Sequence, residues 1–386
     1  MTGQLLIRPV ADRAALRRFA DLPEHLYRLD PHWVPPLRSA QLHLLAGKTA
    51  FFQHAHMALF LAYRDGRIVG RIAAIHNRAH NAHYSDTVGF FGFFECAPDD
   101  RAAARGLLAA AENWLAARGL TVIRGPVNPS MNGQCGLLIE GFDRPPMALM
   151  PYNPPAYPAL LESLGLAKCK DLFAYLIEYA GVRPGSEKGE RLRRLGEALK
   201  KRNSGVTLRT IDMRRYQEDV LRFMAVFEEA RKHNWGYVPL TRAEILETAR
   251  ELRRIIDPEI VIIAEVNGRP AGAMLAIPNF NLPLAAVRGR LFPFGFLRFF
   301  RELKRVREAR ILGSAALVHD RAKGITAALF VEILRRGIKR GYRSAEASWV
   351  LEDNQMPNLT IQGAADPVLY KKYRIYEKPI ARIPSE

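Results

Sequence analysis

Cysteine is scarce. The 386 residues hold three, Cys96, Cys135 and Cys169, and none belongs to a Cys-x-x-Cys pair. A disulfide scaffold and a thiolate metal cluster are therefore not expected, and a reducing compartment fits. Long apolar runs are missing too: no stretch approaches the roughly 18–20 uninterrupted apolar residues of a membrane span. The opening MTGQLLIRPVADR has no charged region ahead of an apolar core, so no secretory signal is expected. Acidic residues are in deficit, 39 against 57 Lys and Arg. The 48% hydrophobic and 25% charged fractions are those of a globular chain and exclude disordered or collagen-like classes. A cytoplasmic protein of two or three domains is expected, with peripheral contact at the inner membrane face left open.

The charge is placed unevenly. Residues 1–180 carry 18 basic and 15 acidic side chains, whereas 181–386 carry 39 and 24. The second half is thus suited to an anionic partner: a phosphorylated cofactor, an acidic lipid surface or nucleic acid. General solubility is the plainer explanation.

Periodicity divides the chain into two similar halves. In the first, apolar runs at 57–63 and 67–75 flank Asp65-Gly66, a strong hairpin signal. TVGFFGFFEC (87–96) is a strand, and Pro98-Asp99-Asp100 caps a helix that ends at Gly119. Short strands at 4–9, 120–124 and 171–178 and a helix at 156–164 complete that half. The second half repeats the order, with a hairpin across Asn267-Gly268, a strand over 311–318, a helix over 325–340 ending at Gly341, and strands at 343–350 and 369–377. The expected fold class is α/β, a mixed sheet flanked by helices and built twice. Domains are expected at 1–182 and 191–386, joined by the Gly-, Pro- and charge-rich GVRPGSEKGE.

One loop carries recognisable chemistry. After ILGSAALV come His319, Asp320, Arg321, Ala322, Lys323, Gly324, Ile325 and Thr326, leading into AALFVEILRRG. A glycine at a strand-to-helix turn lets the backbone approach a ligand, and the free N–H groups of the helix start favour an anion. Arg321 and Lys323 add fixed positive charge, which suits a pyrophosphate. A helix start with an ordinary turn glycine is the plainer alternative.

The order of elements, this RAKGIT loop and the downstream Glu352-Asp353-Asn354 resemble the GNAT superfamily of acyl-CoA-dependent N-acyltransferases, over nearly the whole chain and as two tandem copies. The resemblance implies a mixed, mostly antiparallel sheet in each half and acetyl-CoA or acyl-CoA as co-substrate, with no metal. It assigns Arg321, Gly324 and Thr326 to the pyrophosphate, with Lys323 beside them, and Val318 and Asn354 to the pantetheine arm. Thr326 stands where the family has Gly or Ala, and Ile361 replaces the usual general-acid tyrosine, so that step needs another donor. The matching loop of the first half, Pro98 to Arg105, has no glycine and holds two carboxylates, which makes that half the degenerate, acceptor side. Longer strings, among them LYRLDPHWVPPL, RGPVNPSMNGQCGLLIEGFD and MPYNPPAYPALLESLG, are similar to the bacterial ceramide-synthase-like group. That resemblance implies transfer of a fatty acyl group to an amine, a sphingoid base being the example. N-acetylation of a small amine and a non-catalytic acyl-CoA-binding module are the competing expectations.

Within that frame, Glu95 at the end of GFFGFFE is the candidate base, if burial among aromatics raises its pKa. A surface acid beside Pro98 is its plainer role, and Glu346 and Glu352 are alternatives. Tyr370 is the candidate to protonate the leaving thiolate; Tyr373 and Tyr376 share its strand. Asn128, Ser130 and Asn132, with Tyr152 and Asn153, are candidate acceptor contacts, although Asn- and Pro-rich loops also serve simply as turns. His76 and His80 are four apart, but no carboxylate or cysteine recurs at ligand spacing, so no metal is expected. Residues 288–310 hold eight basic, two acidic and five phenylalanine residues. That mixture suits an anionic membrane surface or a packed amphipathic helix, and no nucleic-acid signature accompanies it.

Overall fold

The structure is a computed structural model, described here for residues 3–182, 185–202, 205–317, 324–354 and 367–381. The first stretch runs β1 (Leu5–Pro9), α1 (Arg13–Leu26), α2 (Arg38–Leu45), β2 (Ala55–Arg64), β3 (Arg67–Asn77), α3 (Arg78–Tyr84), β4 (Val88–Cys96), α4 (Arg101–Ala116) and β5 (Val122–Gly125). Short strands β6 (Val127–Asn128), β7 (Gln134–Cys135) and β8 (Leu137–Glu140) follow, then α5 (Tyr157–Ser163) and β9 (Ala167–Glu178). The second stretch runs α6 (Glu187–Arg202), β10 (Val206–Thr210), α7 (Tyr216–Arg231), α8 (Arg242–Leu252), β11 (Val261–Val266) and β12 (Arg269–Pro278). It ends with α9 (Asn281–Ala286), α10 (Gly295–Leu303), β13 (Glu308–Ala316), α11 (Ile325–Lys339), β14 (Ser344–Leu351) and β15 (Val368–Pro379).

The chain forms two compact units that are not the contiguous halves 1–182 and 191–386. One holds Met1–Asp171, Leu284–Phe296 and Lys372–Glu386; the other holds Leu172–Pro283 and Leu297–Lys371. The first unit's sheet has the order β1-β2-β3-β4-β5, completed by the end of β15, where Tyr376–Pro379 pair with Gly125–Val122. The second has β10-β11-β12-β13-β14, completed by the end of β9, where Leu172–Glu178 pair with Leu351–Ser344. Each repeat's last strand thus finishes the sheet of the other unit. In both sheets the pairings are antiparallel except one, β4 with β5 and β13 with β14. The expected mixed, mostly antiparallel sheet flanked by helices is present twice.

Local signals explain the elements. Asp65 and Gly66 take φ of 50° and 75°, and Asn267 and Gly268 take 51° and 77°, the left-handed pair that closes a tight hairpin. α4 buries Ala103, Ala104, Leu107, Leu108, Ala111 and Leu115, a helical stripe laid on β2 and β3. In the second unit α11 buries Leu329, Phe330, Ile333 and Leu334 on one face of the sheet, and α7 with α8 covers the other. The segment expected as a linker up to Glu190 is already helical from Glu187: α6 anchors its charged sequence through buried Leu192.

Beyond Phe90 and Arg124 the parallel β4–β5 pairing ends, and the chain after β5 packs back onto β4. At Gly92 a Cβ would lie 1.7 Å from the Val127 carbonyl oxygen, so only glycine fits. We expect Gly92→Ala to destabilise the protein by about 3 kcal/mol in urea unfolding, because a backbone carbonyl cannot yield. Gly181→Ala, where no atom lies within 4 Å of a new Cβ, should stay within about 0.5 kcal/mol of wild type.

Candidate active site

In the first unit, β4 is buried along its whole length and carries one carboxylate, Glu95, which is 8% exposed. A bulge places it: Arg71 pairs with Glu95 and Ala73 with Gly92, so the register slips, and Phe93 takes a φ of 49°. The Tyr27 and Tyr157 hydroxyls donate to Glu95 Oε2 at 2.8 and 3.0 Å. Glu95 Oε1 faces the Arg71 guanidinium at 3.7 Å. Arg71 in turn donates to the Phe19 carbonyl at 2.7 Å and lies over the Phe19 ring. Burial pushes the Glu95 carboxyl above its usual range, and Arg71 and the two phenols pull it back part of the way. Glu95 is therefore not the surface acid of the plainer expectation. Tyr27 stacks on Trp33 and also meets Tyr152, so aromatic rings wall the carboxylate.

The loop residues proposed to touch an acceptor divide by what already occupies them. Asn128 Oδ1 accepts the Phe93 N–H at 2.7 Å and so fixes the bulge. Asn153 is buried, with Oδ1 accepting from Leu138 N and Nδ2 donating to the Leu138 and Pro154 carbonyls. Both ends of its amide are thus bonded to backbone groups. Tyr152 donates to Asp30 at 2.9 Å, and Ser130 closes a turn by accepting the Gly133 N–H on its carbonyl. Ser130 is half-buried and Asn132 exposed.

In the second unit, the parallel pair β13–β14 runs from Glu308 with Ser344 to Ile311 with Ala347 and stops there. α11 then opens at Gly324, whose φ is 68°, with no side-chain cap and no acid in its first turn. The N–H groups of such a helix start, including that of half-buried Thr326, have no partners within the helix. The equivalent start of α4 is closed: Asp100 accepts from Ala103 N at 3.0 Å and pairs with Arg64 at 2.6 Å. Val318, Arg321 and Lys323 lie outside the described residues. Asn354 is half-buried in a turn, its N–H donating to the Leu351 carbonyl.

Glu346 of β14 is fully buried and holds a second cluster. It accepts from the Ser348 and Tyr370 hydroxyls and lies 3.7 Å from Arg310, which donates to Ser348 Oγ at 2.8 Å. Tyr370 is half-buried, while Tyr373 and Tyr376 are fully buried packing residues. The candidate acid and base thus each belong to an arginine–carboxylate–hydroxyl cluster, Glu95 in one unit and Tyr370 in the other. His80 is buried and bonded to Asp86 at 3.2 Å, and among the described residues no group of three metal-ligating side chains forms.

Sequence reasoning missed Arg71, Tyr27 and Tyr157 around Glu95, and Arg310 and Ser348 around Glu346. A signal existed for Arg71: a lone arginine inside the strand RIVGRIAAIHN is costly unless a buried acid meets it.

Each unit thus has a sheet with one early-ending parallel pair followed by a helix, and in the second unit that helix begins on the left-handed Gly324. No family model matches the chain. It is 38% identical over 386 residues to "Bacterial ceramide synthase" of Caulobacter vibrioides, covering 98% of each chain. It is 35% identical to "Protein YghO" of Escherichia coli, covering 98% of this chain and 96% of that one. A tandem GNAT protein from the clavulanic acid biosynthesis pathway superposes with TM-score 0.61 at 14% identity, covering 99% of this chain and 100% of that one. A GCN5-related N-acetyltransferase from Sphaerobacter thermophilus follows with TM-score 0.54 at 16% identity, covering 97% and 96%. The chain belongs to the family of tandem GNAT N-acyltransferases that contains the Caulobacter and Escherichia proteins.

The raised affinity of Glu95 for its proton has a measurable sign. Its stabilising contribution is fully present below the unfolded carboxyl pKa of about 4.3 and is lost as pH rises through the higher folded value. We expect the stability advantage of wild type over Glu95→Gln in urea unfolding to shrink from about pH 4 to about pH 7. An advantage that grows with pH would show that the folded carboxyl is instead held ionised.

Proposed function

We propose that the protein transfers a fatty acyl group from a CoA thioester to the amine of a lipid, a sphingoid base by analogy with the relative called a ceramide synthase, at an anionic membrane surface. The observation that carries this reading is the start of α11 on the left-handed Gly324, without a side-chain cap among the described residues, beyond the point where β13 and β14 part. It supports the pyrophosphate at Gly324–Thr326, aided by Arg321 and Lys323, with Val318 and Asn354 along the pantetheine arm. Asp100 argues against the same role for the first unit, because its carboxylate already satisfies the α4 amides. A short-chain thioester and a small amine form the alternative substrate pair.

The transfer needs little beyond placement. The amine nitrogen attacks the thioester carbonyl carbon, the carbon–sulfur bond breaks, and the nitrogen loses a proton while the thiolate gains one. Holding the two reactants in contact supplies most of the rate. Glu95 is the candidate base of the first unit, a role suited to a carboxyl whose pKa is raised. Tyr370 returns a proton to the thiolate, since its hydroxyl is the half-buried donor of the Glu346 cluster. Ser130, Asn132 and Tyr152 are the first unit's candidate acceptor contacts, and Asn128 holds the bulge that orients Glu95.

Release of CoA from long-chain acyl-CoA in the presence of a sphingoid base, with mass detection of the amide, tests the activity. No amide with any amine would refute it. Glu95→Gln should lower turnover by about 100-fold and leave acyl-CoA affinity intact. If Glu346→Gln alone abolished turnover, the base would belong to the second unit. By calorimetry, Gly324→Asp should abolish acyl-CoA binding, since it strains a left-handed residue and adds a carboxylate at the helix start. Asp100→Ala should cost about 1 kcal/mol of stability but leave binding unchanged.

A further inference from the structure

The segment 288–307 presents large apolar side chains to solvent. Phe292 is 89% exposed, Phe294 74% and Leu297 61%, with Phe296 and Phe300 also exposed. α10 has one apolar face, opposite Arg298, Arg301 and Glu302: Phe299 on that face is buried and pins the helix to the protein, while Phe296, Leu297 and Phe300 on the same face are exposed. The apolar face of an amphipathic helix is ordinarily covered, and an exposed cluster of this kind marks a surface that something covers.

The charge beside it identifies the cover. Arg288, Arg290, Arg298, Arg301, Lys304, Arg305 and Arg307 are all exposed, and the acids among them are Glu302 and Glu308. Lys304 follows Phe300, and Arg301 follows Leu297, four residues on, so each cation lies one helical turn beyond an outward apolar side chain. Phenylalanines at the tip with long basic side chains behind them match a bilayer, in which rings enter the acyl boundary and cations stay at headgroup level. A nucleic acid would use the cations but give the 89%-exposed Phe292 no apolar medium. No helix among the described residues is long and apolar enough to cross a membrane.

We propose that 288–307 is a membrane-docking element that inserts Phe292, Phe294 and Leu297 into an anionic phospholipid surface. The inference rests on the lipid-amine reading above, because it brings the protein to the phase in which such an acceptor resides. Vesicle sedimentation with phosphatidylglycerol–phosphatidylcholine mixtures tests it. Wild type should pellet with these vesicles and bind at least about tenfold less to phosphatidylcholine alone, or to the mixture in about 0.5 M salt. Arg298→Glu, Arg301→Glu and Lys304→Glu together should abolish the anionic preference. Phe292→Ser, Phe294→Ser and Leu297→Ser together should lose vesicle binding even at low salt. Both variants should retain wild-type turnover on a short-chain acyl-CoA and a water-soluble amine. Absent binding, or binding unaffected by the serine variant, would overturn the proposal. So would a vesicle-free dimer that the serine variant dissolves, since a second copy would then be the cover. A wild type that binds vesicles but acylates no amine would refute the acyl-transfer reading and leave the docking surface standing.

Discussion

Everything chemical in each unit depends on where its two parallel central strands stop pairing. β4 and β5 share three residue pairs and β13 and β14 four. Past that point the backbone groups of the parting strands need other partners. In the first unit the chain supplies them itself: Asn128 takes the Phe93 N–H, and the Tyr157 oxygen accepts the N–H of Cys96. The Val127 carbonyl fills the space at Gly92. This refilling orients Glu95, and Asp100 occupies the α4 amides of the same unit.

The two units bury carboxylates in the same manner. Removing a carboxylate from water is costly unless charge and hydrogen bonds are both supplied, and an arginine alone seldom suffices. Glu95 has Arg71 plus two phenols; Glu346 has Arg310 plus Ser348 and Tyr370. Arg71 cannot fully offset the burial of Glu95, so the acid holds its proton more tightly than usual. A poised carboxyl beside neutral phenols is the arrangement a proton-transfer site requires.

Much of the fold was legible because its signals are local. Asp65-Gly66 and Asn267-Gly268 mark hairpins, and the alanine and leucine spacing of α4 marks a buried face. α6 was hidden because Glu187–Arg202 is highly charged and its first residues fall in the Gly-, Pro- and charge-rich stretch that ends at Glu190; it anchors through buried Leu192. The candidate site was legible by residue type but not by partner. Glu95 stood out as an acid at the end of an aromatic strand, yet nothing near it in sequence announces Arg71. The bonds of Asn153 to Leu138 were hidden because an exposed amide and a buried one are spelled the same way.

The sequence by itself determined the repeat order, the hairpin turns, the faces of the long helices, the glycine that opens α11 and the basic, Phe-rich segment at 288–307. These follow from residue periodicity, φ preference and composition, which act within a few residues. Tertiary structure alone decided that β15 completes the first unit's sheet and β9 the second's, that Arg64 pairs with the capping Asp100, and that each buried carboxylate meets its arginine. Strand edges pair through backbone groups common to all residues, and buried charges find partners tens of residues away, so neither choice is written in any local stretch of chain.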